Sequence, residues 1–219
     1  MECCFKKHIR LVVFDLDGTL LDTSEGSIES AMFVASKLGV AHFSKEIARN
    51  FVGPPIHESL MQFCGCSKED AQKGAVIFRD YYKNNALYKA KVYPGIIEMF
   101  QELSTRGIKV GVATYKREDY AIDILKYFGI YDYCNVVHGA DDNNLLSKSD
   151  IINMCVEEIG EDKEYAMYVG DTEHDAKGAQ EAGVSFVAVT WGFGYNKSRH
   201  FSKYHVSYFI DSPFQLFVL

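Results

Sequence analysis

From Tyr93 onward the chain repeats one unit, a helical run closed by glycine and then a short apolar strand. "IIEMFQELSTRG" precedes "KVGVAT" (109–114), "REDYAIDILKYFG" precedes "NVVHG", "SDIINMCVEEIG" precedes "YAMYVG", and "EHDAKGAQEAG" precedes "SFVAVT". The helical runs carry apolar residues at three- and four-residue spacing. The strands are continuous apolar stretches, as expected where a sheet is covered on both faces. Strands linked by single helices form right-handed crossovers and therefore a parallel sheet. A further strand, Val12 to Phe14 after Ile9 and Leu11, lies upstream. Between it and Tyr93 the segment from about Ser24 to Leu87 offers helices only: "SIESAMFVASKL", "KEIARNF", "HESLMQF", and "AQKGAVIFRDYYKNNAL" started by Ser67 and Asp70 as a capping box. Gly53, Pro54 and Pro55 interrupt it as a stiff turn. The expected fold is α/β, a doubly wound, Rossmann-like parallel sheet with an all-helical insert between its first and second strands. The expected boundaries are 1–20 and 89–219 for the sheet domain and 21–88 for the insert.

The bulk properties narrow the function classes. A chain of 219 residues with 47% hydrophobic and 24% charged residues can bury a sizeable core. A net charge of −7 argues against a nucleic-acid binder, and the cluster Lys6, Lys7, His8, Arg10 reads as a solvated flank. Cys3, Cys4, Cys64, Cys66, Cys134 and Cys155 lack zinc spacing and read as reduced, mostly buried thiols of a cytoplasmic protein. Neither a signal peptide nor a membrane-crossing apolar run is expected.

In doubly wound sheets, ligands bind beyond the carboxyl ends of the strands. The polar residues of interest gather there. "VVFDLDGTLLD" delivers Asp15 and Asp17 to one face at the end of the first strand, with Leu16 on the other and Gly18 breaking the chain. Thr114 ends "GVAT", Asp171 and Asp175 follow "MYVG", and Lys148 lies in the loop "LLSKSD" before a helix. Two carboxylates held this close need a cation or a shared proton. Carboxylates can serve an anionic phosphate ester only through a bridging metal, and an all-oxygen ligand set points to Mg²⁺. Backbone N–H groups around Gly18 are expected to cradle the anion.

"DLDGTLLD", "ATYK", Lys148 and "GDTEHD" resemble the four motifs of the haloacid dehalogenase superfamily in its phosphatase branch. The helical insert resembles that superfamily's α-helical cap, and "VGPPI", "YPG" and "TWGFG" resemble phosphoglycolate-phosphatase-like members. The resemblance implies a Mg²⁺-dependent phosphatase of small phosphomonoesters, working as a monomer or weak homodimer without nucleic-acid or membrane partners. It makes Asp15 the nucleophile and Asp17 the general acid, then base. Thr114 would bond the phosphoryl group, and Lys148 would offset charge. Asp15, Asp171 and the Asp17 carbonyl would bind metal, with Asp175 completing or orienting that shell. A sugar phosphomutase on the same scaffold and a catalytically idle binding module are the alternatives. Plainer readings stand beside these roles: Asp175 as the acid of a capping box begun by Thr172, Lys148 as a solvated loop lysine, His138 as a strand-end residue, Glu173 and His174 as exposed. Relatives often carry Ser or Asn after the motif-two threonine. Here Tyr115 stands there, followed by Lys116, and a phenol would narrow the pocket or stack on a ring-bearing substrate. Arg49, Pro54 and His57 in the insert, with Gly18, Tyr115 and Lys116, are the candidates for substrate contact.

Overall fold

The computed structural model describes residues 9–141, 145–196 and 202–219. Cys3, Cys4, Lys6, Lys7 and His8 lie outside them. The chain divides into two compact units, one built from 1–21 with 92–219 and the other from 22–91.

The first unit holds a six-stranded parallel sheet. Its strands are β1 (Leu11–Phe14), β4 (Lys109–Arg117), β5 (Val136–Ala140), β6 (Ala166–Gly170), β7 (Ser185–Val189) and β8 (Tyr208–Ile210), in the order β5-β4-β1-β6-β7-β8. The remaining strands, β2 (Leu21–Asp22) and β3 (Lys91–Val92), form a separate two-stranded sheet where the chain passes between the units. Helices α5 (Ile96–Thr105), α6 (Glu118–Tyr127), α7 (Lys148–Ile159) and α8 (Glu173–Ala182) make the crossovers. β1 pairs with β4 and β6, so its end opens between two neighbours at the middle of the sheet. Its four residues are all buried, which is why they read as an uninterrupted apolar run. The strand order turns back on itself at β1, the kind of position where doubly wound sheets bind ligands.

Three features depart from expectation. β8 is a sixth strand beyond "SFVAVT", pairing Tyr208 to Ile210 with Val187 to Val189. β4 does not end at Thr114 but runs to Arg117, over a register shift against β5 between Ala113 and Arg117. Lys148 is not in a loop. It is the first residue of α7, whose N-cap Ser147 forms a capping box with Asp150.

The second unit is helical, as its sequence suggested. It comprises α1 (Ser24–Lys37), α2 (Lys45–Ala48) running into a 3₁₀ turn at Arg49–Phe51, α3 (Ile56–Cys64) and α4 (Lys68–Tyr81). Ser67 caps α4 by accepting the Asp70 N–H, and the helix closes in a π turn over Tyr82–Ala86. Its core is the small-residue face of α4 (Ala71, Gly74, Ala75) packed with Val34 and Leu60, and Phe33 stacks on Tyr81 with centroids 4.1 Å apart. The cysteines are less buried than expected: among the described residues Cys155 is buried, while Cys64, Cys66 and Cys134 are half-buried, and all four are free thiols. Burial pushes the Cys134 and Cys155 thiols up to about 12, far from the thiolate form.

Candidate active site

Three carboxylates and one ammonium converge beyond the ends of β1 and β6. Asp15 leaves β1 with its N–H donated to Val169 O at 2.8 Å, which fixes the backbone behind its side chain. Lys148 Nζ lies 2.8 Å from Asp15 Oδ1 and 3.0 Å from Asp175 Oδ1. One carboxylate oxygen from each of Asp15, Asp171 and Asp175 falls within 4.8 Å of the others, and all three residues are buried. The cluster thus sets three acids against one buried cation, more negative charge than the site itself neutralises. Burial pushes the Asp15 carboxyl up to about 7, with the Asp175 and Asp17 charges adding to the rise and Lys148 opposing it. Asp171 is raised well above the usual range by burial and then by Asp175 and Asp15. Burial also raises Asp175, but Lys148 and the Thr172 hydrogen bonds more than offset it and hold that carboxyl low.

The Asp171 oxygens show what the excess charge serves. Oδ2 accepts the N–H groups of Phe193, at 2.6 Å, and Gly194, at 3.3 Å. Oδ1 is buried and, among the described residues, has no hydrogen-bond partner. A buried carboxylate oxygen without a donor is costly, and beside two further acids it is relieved by a shared proton or by a cation. A divalent cation fits this all-oxygen set, and Asp15, Asp171 and Asp175 are the side chains that could hold it.

Asp17 stands apart from that cluster. Its Oδ1 pairs with Lys116 Nζ at 3.0 Å, with both side chains largely shielded from solvent. Thr114 is buried, and its Oγ1 accepts the Lys116 N–H at 3.2 Å, which leaves the hydroxyl hydrogen free to donate elsewhere. Gly18 does not offer its amide to an anion. Its N–H goes to Leu21 O at 2.8 Å, and those of Thr19, Leu20 and Leu21 go back to Leu16 O. Glycine is needed here for shape instead. Its φ is +88°, and a Cβ would come within 2.8 Å of Asp171 Cγ and 2.7 Å of the Phe193 ring.

Tyr115 is tied to Lys148. Its hydroxyl accepts the Lys148 N–H at 3.0 Å and its ring centroid lies 4.8 Å from Lys148 Nζ, so the phenol is engaged within this unit. Glu173 is half-buried, not exposed, whereas His174 is exposed as expected. His138 sits on β5 between Glu118, at 3.2 Å, and Glu158, at 2.9 Å. Arg49, exposed, and the half-buried Pro54 and His57 belong to the helical unit.

Two contributors escaped the sequence reading. Tyr168, inside β6, places its hydroxyl 2.8 Å from Ala113 O and 3.2 Å from Asp175 Oδ1. The loop Trp191–Gly194 wraps Asp171, and a Cβ on Gly192 would stand 2.5 Å from Asp171 Cβ. "TWGFG", one of the segments that carry the family resemblance, follows the last strand of the helix–strand alternation, and from there its Phe193 and Gly194 amides reach Asp171.

The family model for haloacid dehalogenase-like hydrolases matches residues 12–189. The chain belongs to that family. It is 34% identical over 186 residues to the tyrosine-protein kinase PtkA of Mycobacterium tuberculosis, covering 84% of this chain and 63% of that protein. It thus spans less than two thirds of that relative's length. A 5'-nucleotidase of Pseudomonas aeruginosa is 31% identical over 184 residues, covering 84% of this chain and 83% of the nucleotidase. Among solved structures, a predicted phosphatase from Clostridium acetobutylicum superposes with a TM-score of 0.87 at 30% identity, over 95% of this chain and 96% of that one. No helix among the described residues is long and apolar enough to cross a membrane.

Proposed function

We propose that this protein is a Mg²⁺-dependent phosphatase that hydrolyses small phosphomonoesters through a phosphorylated Asp15. The observation that carries the proposal is the buried cluster of Asp15, Asp171 and Asp175, with Lys148 paired to Asp15 and Asp175, at the strand ends of a haloacid dehalogenase-like chain. In the first half-reaction an Asp15 oxygen attacks phosphorus, the ester P–O bond breaks, and the leaving alkoxide takes a proton from Asp17. In the second, water attacks the aspartyl-phosphate, Asp17 receives its proton, and Asp15 is released with inorganic phosphate. Splitting the reaction through a covalent intermediate suits a poor leaving group. Lys148 offsets charge on Asp15 and the transferring group, Thr114 donates its hydroxyl hydrogen to a phosphoryl oxygen, and Lys116 holds the Asp17 carboxyl in place. Bound by Asp15, Asp171 and Asp175, Mg²⁺ would supply charge neutralisation on the phosphoryl oxygens.

Relatives named 5'-nucleotidase, pyrophosphatase and phosphoglycolate phosphatase support a small phosphate ester or anhydride as substrate. The helical unit, with Arg49, Pro54 and His57, is proposed to choose among them as a cap domain. A cytoplasmic setting is proposed on the free thiols Cys64, Cys66, Cys134 and Cys155.

The test is phosphate release from p-nitrophenyl phosphate and from a panel of nucleoside monophosphates, phosphoglycolate, sugar phosphates and pyrophosphate. Wild type should release phosphate in Mg²⁺ and stop in excess chelator. Asp15→Asn should stay folded and lose at least about 10³-fold in kcat, the order expected when a nucleophile is removed. Activity retained by Asp15→Asn removes the nucleophile assignment. Phosphoryl movement between sugar positions without phosphate release would replace the phosphatase reading with the mutase one.

A further inference from the structure

Lys148 is buried at the first turn of a helix, on a long and flexible stem, and the site works only if its ammonium stays between Asp15 and Asp175. Its two carboxylate partners do not fix the helix that carries it. The first amides of any helix lack intrahelical acceptors. In α7, Ser147 Oγ takes the Asp150 N–H at 3.2 Å, and Tyr115 Oη takes the Lys148 N–H at 3.0 Å. The same tyrosine presents its ring to the other end of Lys148, 4.8 Å from Nζ, within the range of a cation–π contact. Tyr168 adds a more distant face at 5.9 Å. Tyr115 therefore grips Lys148 at its backbone and at its charge, from a neighbouring strand.

β4 is built to make that reach. Between the pairs Ala113↔His138 and Arg117↔Ala140, β4 advances four residues and β5 two, so β4 carries two extra residues. A bulge of this kind re-aims side chains that strict alternation would fix. Here the consecutive residues Thr114, Tyr115 and Lys116 meet, in order, the Lys116 amide, Lys148 and Asp17.

We propose that Tyr115 is a positioning residue for Lys148, its hydroxyl pinning the first turn of α7 and its ring face holding the ammonium at Asp15 and Asp175. The inference rests on the phosphatase reading for its kinetic consequence and on geometry alone for its structural one. A tyrosine that only filled space would alter stability and leave the chemical step unchanged. One that touched substrate would alter KM.

The experiment compares Tyr115→Phe, which keeps the ring, with Tyr115→Leu, which keeps neither ring nor hydroxyl. Steady-state kinetics with p-nitrophenyl phosphate and Mg²⁺ are read beside hydrogen exchange in the peptide 146–152. The Leu variant should lose about tenfold or more in kcat, the scale of a desolvated cation–π contact, with KM within about twofold. The Phe variant should recover most of that loss, to within about threefold of wild type, because only a net hydrogen bond is gone. Exchange at the start of α7 should quicken in both. An unchanged kcat in the Leu variant, a loss expressed in KM, or a Phe variant no better than Leu would overturn the ring's role. Unchanged exchange in the Phe variant would overturn the hydroxyl's. The Phe variant preserves the buried volume and carries the test if the Leu variant does not fold. If wild type releases no phosphate, the phosphatase reading fails, and the exchange result still decides whether Tyr115 pins α7.

Discussion

Asp175 answers two demands because a carboxylate has two oxygens. Oδ2 accepts from Thr172 N and Oγ1, at 2.9 and 2.6 Å, and closes the capping box of α8, while Oδ1 takes Lys148 at 3.0 Å. The capping box suggested by the letters "TEHD" is therefore present, and it leaves the second oxygen to the acid cluster. The glycines around it are set by the same crowding. A Cβ on Gly170 would stand 2.5 Å from Asp175 Cβ, and one on Gly178 would stand 2.5 Å from Lys148 Cγ and 2.8 Å from its Cβ. Gly178 lies in the interior of α8, where replacing glycine by alanine ordinarily stabilises a helix by about 1 kcal/mol. At this position the clash falls on the base of a buried side chain that cannot swing clear. Gly178→Ala should lower Tm, and by displacing Lys148 it should also lower kcat by about tenfold or more, since small misplacements of catalytic groups are costly. Thermal unfolding and phosphate release check both. A higher Tm with unchanged kcat would mean that α7 and α8 separate freely and that Lys148 tolerates the shift.

Elements with strong periodicity were readable from the letters, and those shaped by neighbours were not. The buried strands β1, β6 and β7 are unbroken apolar runs, and the helices between them carry their own stop signals, as Gly160 and Gly183 do in left-handed C-caps. The end of β4 was hidden in "TYKR" because Tyr115 and Lys116 serve Lys148 and Asp17, partners distant in sequence that no local pattern reports. β8 escaped for a related reason: three residues, only one of them buried, carry too little periodicity to detect. Glycine gives the bulge in β4 a handle. On the adjacent strand, a Cβ at Gly139 would stand 2.5 Å from Glu118 N and 2.6 Å from its Cα, both backbone atoms that cannot rotate away. Gly139→Ala should therefore push Lys116–Glu118 off β5. Overpacking of this kind costs about 1–3 kcal/mol, which for a chain of this size lowers Tm by several degrees. Because Thr114, Tyr115 and Lys116 ride on the displaced segment, kcat should fall with it. Tm within about 1 °C of wild type and an unchanged kcat would show that the bulge does not depend on Gly139.

For the molecule as a whole, the acid cluster links stability to pH and metal. Asp15 is raised from 3.8 to about 7 and Asp171 is raised as well, so in this window the native state binds more protons than the unfolded chain. Stability from these groups is fully present below the unfolded value near 3.8 and is lost as pH rises through the folded value. The carboxyls held low, Asp175, Glu29, Glu46 and Asp150, act on the other side: their contribution is present above the ordinary carboxylate range and lost in acid. Between about pH 5.5 and 8 the raised pair should dominate, and the metal-free protein should lose Tm as pH rises. A cation held by Asp15, Asp171 and Asp175 competes with protons, so Mg²⁺ should restore more at pH 8 than at pH 5.5. A hundredfold excess over Kd is worth about 2.7 kcal/mol, or about 5–10 °C in Tm for a chain of this length. The measurement is Tm in chelator and in excess Mg²⁺ across that range, where groups remote from the cluster cancel in the difference. Asp171→Asn removes one of the crowded charges and offers a donor where Oδ1 has none. It should raise Tm in chelator at pH 8 and abolish the response to Mg²⁺. A Mg²⁺ effect that is flat with pH, or that survives in Asp171→Asn, would place the metal elsewhere and leave the three buried acids without the role assigned to them.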